Sequence, residues 1–221
     1  MSLPDSDGNW SNQPGPLRKR PGAASTLRET GLNWWEAGCT GRNPWIRIPL
    51  LLWCAWMWKG HLADPLASDM IKGLNLGIHE LGHILWSPFG QFLGIAGGSL
   101  TQCLAPVVGA AMFVRQRDPF ALFFALAWLG TNLFDVATYC ADARAMELPL
   151  VSPFGGDEII HDWNFLLEHT GLLESDRRLA AAMRLGASVC FLVALAGMGW
   201  CLWKMWTSRK QTGFPMDGDP R

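Results

Sequence analysis

The sequence predicts an all-α, polytopic membrane protein with about four to six transmembrane or membrane-embedded helices behind a flexible N-terminal tail. Three observations carry that expectation. First, 49% of residues are hydrophobic and only 17% are charged, against roughly 25% charged in soluble domains. Mean hydropathy is +0.11, and there are 13 Trp beside one Tyr; Trp is enriched at membrane interfaces. Second, two apolar runs are long enough to cross a hydrocarbon core, which takes about 20 residues. Third, ionisable groups sit inside apolar runs, where they are costly and mark function. Helices are the natural element, because each satisfies its own backbone hydrogen bonds in lipid.

The formal net charge is -1, so no basic field points to nucleic acid, and the expected partner is the lipid bilayer. The six cysteines form no CxxC pair and read as small buried hydrophobes.

Residues 1–43, with NQPGPLRKRPGAAST, lack the apolar surface to fold alone and read as a polar, basic tail. Residues 44–206 read as a membrane-embedded helical domain, with 141–184 as an extramembrane loop inside it. Residues 207–221 read as a second tail. Within the domain, IRIPLLLWCAWMW (46–58) is short for a span, and its Arg47 reaches for the interface. MIKGLNLGIHELGHILW (70–86) has a helical pattern. Ser87–Gly98 has four glycines and no charge, which fits a re-entrant segment, and its 90–98 part fits a gate or edge. Residues 98–114, 120–140 and 185–206 complete the apolar segments. The LRKR motif places the N-terminus in the cytoplasm, although a five-span count puts Arg115/Arg117 and Arg209/Lys210 on different sides.

The chemistry centres on HELGH. His79 and His83 are four residues apart, so on a helix they share a face and can bind one metal ion. Glu80 follows the first histidine and is placed to take a proton from water. Zn2+ suits the imidazoles and activates water without redox chemistry. A catalytic zinc needs a third protein ligand and one open position.

For that ligand, FALFFALAWLGTNLFDVATYCADA carries Asn132, Asp135, Tyr139 and Asp142 on one helical face. An unpaired Asp135 deep in an apolar helix is expensive, and a metal relieves the cost. Asp135 is therefore the expected third ligand. Asn132 and Tyr139 are expected to hydrogen-bond the site or hold substrate, and Asp142 to act as a cap or ion-pair partner. The competitor is GGDEIIHDW (155–163), which offers Asp157, Glu158, His161 and Asp162, with Trp163 as an interfacial anchor. Ser99 and Gln102, one turn apart among small residues, are expected to line the cavity or to pack helices. His61 and His169 read as ordinary exposed histidines.

The HELGH helix, the GGSLTQ segment after it and an aspartate within a later helix resemble the site-2 protease family of intramembrane zinc metalloproteases. The resemblance covers roughly residues 70–142. It implies a three-helix core, zinc on two histidines and an aspartate, and cleavage of membrane-spanning substrates. The expected function is a membrane-embedded zinc metallopeptidase acting on membrane-protein or peptide substrates, with Glu80 as general base. A helical substrate would have to unwind, and water would have to reach the ion. A non-proteolytic zinc scaffold or regulator, and a zinc hydrolase acting on a lipid or another amide, are the alternatives.

Overall fold

The computed structural model describes residues 34–67, 70–149 and 160–211. The compact body begins at Trp35. It is all-helical, with no strand among the described residues. Residues 34–39 form a short helix (α1) inside the stretch expected to be a tail. It is followed by α2 (Ile48–Ala63), α3 (Lys72–Trp86), α4 (Gln91–Arg115), α5 (Pro119–Ala141), α6 (Asp162–Thr170) and α7 (Asp176–Gln211).

Among the described residues, three helices are long and apolar enough to cross a membrane: α4, α5 and α7. This is fewer than the sequence count. The runs around 46–58 and 70–86 give helices of only 16 and 15 residues, or about 24 Å and 22 Å at 1.5 Å per residue. The Ser87–Gly98 segment expected to be re-entrant is instead a 3-10 turn, Ser87–Phe89, followed after Gly90 by the first two turns of α4, which begins at Gln91. Glycine weakens an isolated helix, and tight helix packing repays that here. A Cβ on Gly82 of α3 would stand 2.2 Å from the Gly97 carbonyl oxygen of α4, and one on Gly97 would stand 2.6 Å from Trp86 Cβ. Only glycine permits this approach, as in small-residue interfaces within membranes.

Helices α5 and α7 form the spine and run antiparallel. Gly130 faces Phe191, and Gly197 faces Phe123; Phe120, Phe134, Phe191, Met198 and Met205 are buried around that seam. Helix α2 runs alongside α5 in the same direction. Arg47 at its start bonds Asp118 before α5 at 2.9 Å, and His61 near its end stacks on Phe134 at 4.9 Å. His61 is thus buried, not exposed as its sequence context suggested.

One end of the bundle gathers basic groups. Arg42 and Arg47 both pair with Asp118, Lys204 pairs with Glu36, and Trp45 packs edge-on against Trp206. Arg115 and Arg117 flank the α4–α5 turn at this same end, and Arg209 closes α7 here. The five-span count separated these groups; antiparallel packing brings them together.

Candidate metal centre

Helix α3 is built inside-out. Its buried face carries Asn75, His79 and Gly82, while Leu74, Leu76, Leu81, Ile84 and Leu85 are exposed. The 3.6-residue period lines up Asn75, His79 and His83 along the stripe that meets α4 and α5.

The two imidazoles are oriented by acceptors on α4. His79 Nδ1–H donates to Gln102 Oε1 at 3.0 Å, and His83 Nδ1–H donates to the Gly94 carbonyl at 2.9 Å. An amide oxygen and a backbone carbonyl can only accept, so Nδ1 carries the proton in both rings. Both Nε2 atoms then converge on one carboxylate oxygen. Asp162 Oδ2 lies 3.0 Å from His79 Nε2 and 3.2 Å from His83 Nε2. The three ligand atoms lie within 4.8 Å of one another, and the group could hold a metal ion.

The space beside them is kept open by Gly98. A Cβ there would stand 2.6 Å from His79 Nε2 and 2.7 Å from His83 Nε2. Donor chemistry and room both fit a zinc-type ion: two imidazoles that present Nε2 once it gives up its proton, one carboxylate, and each imidazole held through its other nitrogen.

The structure brings Asp162 to the histidines and leaves Asp135 out of the group. Asp135 accepts a hydrogen bond from Asn75 Nδ2 at 3.2 Å, and Trp128 Nε1–H donates to Asn75 Oδ1 at 2.8 Å. The physical reason is register. Helices α3 and α5 run in the same direction, so Asn75 meets Asp135 while His79 meets Tyr139 one turn further on. Asp135 is a turn short of the centre.

The other expected residues divide as follows. Tyr139 Oη accepts the Asp162 backbone N–H at 3.1 Å and so holds the ligand-bearing end of α6. Ser99 Oγ accepts from Trp163 Nε1–H at 3.2 Å and docks the same helix on α4. His161 is not a ligand but the N-cap of α6: its Nδ1 accepts from the Asn164 N–H, and its Nε2–H donates to Asp142. Asp142 also accepts the backbone N–H groups of Glu147 and Leu148, which makes it a cap, one of the two roles that the sequence suggested. Asn132 is fully buried, and its amide has no partner among the described residues. Asp157 and Glu158 lie outside the described residues. His169 is exposed.

Glu80 is half-buried beside the centre, close enough that its charge acts on His83 and Tyr139. Burial pushes the Asp162 carboxyl up, but hydrogen bonds from His79 and His83 outweigh it and hold the group below its ordinary value. A ligand that stays anionic suits a cation. Asn75 and Gly94 are site-shaping residues that sequence reasoning passed over; Asn75 was legible, standing one turn before His79 on the same face.

No protein-family model, curated protein or solved structure matches this chain.

Proposed function

We propose that the chain is an integral membrane zinc metallopeptidase that hydrolyses peptide bonds of membrane-associated polypeptides. Zinc would be held by His79, His83 and Asp162, with Glu80 as general base. The observation that carries this reading is the convergence of two Nε2 atoms on Asp162 while both Nδ1 atoms are tied to acceptors. Inert histidine packing does not require that arrangement, and a metal site does.

Membrane insertion is supported by the inside-out face of α3 and by the exposed Leu100, Leu104, Val107, Val108 and Met112 along α4. Exposed Leu185, Val189, Leu192 and Val193 on α7 add to it. Apolar faces of this extent call for lipid. The basic end and the LRKR segment support an N-terminus on the cytoplasmic side.

Zinc, when bound, would supply Lewis acidity and lower the pKa of water towards about 7. The chain's residues do the rest. Glu80 takes the proton from the attacking water and delivers it to the leaving amine. Gln102 and the Gly94 carbonyl keep the imidazoles in the tautomer that presents Nε2. Tyr139 and Ser99 hold α6 so that Asp162 completes the set.

Metal analysis of the purified protein tests the ligand set. Wild type should hold about one zinc per chain, as expected of a single closed ligand set. His79→Ala and Asp162→Ala should lose it, while Glu80→Gln and Asp135→Asn should keep it. Comparing membrane-protein fragments in cells making wild type or Glu80→Gln tests hydrolysis. Identical fragment patterns from the two would remove the peptidase reading while leaving the metal site standing.

A further inference from the structure

The depth of the centre in the bilayer follows from where its residues sit along the helices. Helix α5 spans Pro119–Ala141, with Gly130 at its middle. Tyr139, which holds Asp162, lies nine residues further on, about 13 Å at 1.5 Å per residue. Half the hydrocarbon thickness is about 15 Å. With α5 centred in the bilayer, its site end is therefore at the lipid–water boundary.

Three independent features agree. The third ligand stands on α6, which lies outside the three helices able to cross a membrane and is held over the polar turn that Asp142 organises. Thr138 donates to the Pro65 carbonyl at 2.9 Å, so the exposed, non-helical Asp64–Leu66 stretch lies level with the site. Such backbone is tolerated at membrane depth only where protein covers it or water reaches it. Lys72 is exposed at the start of α3, seven residues before His79, or about 10 Å toward the bilayer centre. A lysine there needs water within reach of its ammonium, so water on this flank extends past the metal centre.

We propose that the His79–His83–Asp162 centre works at the bilayer surface, on an extended juxtamembrane segment of a membrane-anchored polypeptide. A juxtamembrane segment that is already extended has no helix hydrogen bonds, so its carbonyls are available without unwinding a helix in lipid. The substrate half of this inference rests on the peptidase reading; the depth half does not.

The test has two arms. In the first, the full chain in sealed vesicles carries a single added cysteine and is treated with a membrane-impermeant maleimide. Gly73 and Gly77 suit this, being exposed on α3 with open space around them. Gly77→Cys and Gly73→Cys should react as fast as Glu147→Cys, while Val108→Cys and Leu192→Cys should be at least ~10-fold slower, because only a hydrated thiolate attacks. Protection of both glycine positions to the level of Val108→Cys overturns the proposal. In the second arm, wild type and Glu80→Gln are given an anchored reporter with an unstructured stretch next to its span. Wild type alone should cut within that stretch. A cut inside the span overturns the substrate half. No cut in any reporter, with the glycine positions reactive, overturns the peptidase reading and its substrate and leaves the depth standing.

Discussion

Gln102 Oε1 lies 3.0 Å from Nδ1 of His79, and this bond between α4 and α3 fixes which nitrogen of the imidazole faces the ligand space. Replacing Gln102 with Leu keeps the bulk and removes the acceptor. Zinc affinity should fall by about 10–100-fold, the usual effect of losing such an outer partner. Competition against a chelator of known affinity measures it, and Gln102→Glu, which still accepts, should lose less.

Gly98 leads to a sharper expectation. The added methyl of Gly98→Ala would stand within 2.7 Å of both Nε2 atoms, in the space a metal needs. The variant should fold and lose its zinc, as read by metal content at unchanged helicity. Gly82→Ala should behave differently. Its methyl meets the Gly97 carbonyl at 2.2 Å, so α3 and α4 must separate, at a cost of about 1–3 kcal/mol for overpacking. Thermal unfolding in detergent should show the loss.

Most of the fold and half of the site were legible in the sequence, and the dividing line is physical. Helices α5 and α7 announce themselves because apolar length is a local property. His79, Glu80 and His83 were readable because a spacing of four on a helix is local too. Asp162 is one of several candidates in the sequence and nothing local singles it out: it is 83 residues from His79, on a short helix whose own pattern points to nothing. The stripe of Asn132, Asp135 and Tyr139 was read correctly as inward-facing. The stagger between α3 and α5 was not readable, and it decides that Tyr139, rather than Asp135, reaches the centre. The helical form of the glycine-rich 91–98 stretch was hidden for a similar reason. Its stability comes from α3, not from its own residues.

Asn132 gives a prediction about stability alone. Its buried amide lacks partners among the described residues, and an unpaired buried polar group costs about 1–3 kcal/mol. Asn132→Leu should therefore leave the melting temperature unchanged or raise it. A clear drop would show that the amide is paired in the native protein.

The Asp118 cluster sets an acid limit. Burial pushes the Asp118 carboxyl up, but the Arg47 guanidinium and the Ala121 amide outweigh it, so it titrates below its ordinary value of 3.8. A carboxyl with a depressed native pKa stabilises the fold above the unfolded value and loses that stabilisation as pH falls through the folded one. Wild type should lose stability steeply below about pH 3.8. Asp118→Asn should be less stable at neutral pH and flatter in that acid range, as measured by unfolding at stepped pH.

The bare backbone contact between Gly82 and Gly97 has a consequence for how this sequence can vary. The distance between α3, which carries both imidazoles, and α4, which orients them, is set by main-chain atoms, not by interlocking side chains. The outward residues Leu81, Ile84 and Leu85 therefore have no say in where the imidazoles stand. Substitution can wander freely across that outer surface, adapting the chain to thicker or thinner bilayers or to new neighbours, while the spacing of the imidazoles stays put. The tolerance ends abruptly at a few positions that have no side chain to lose.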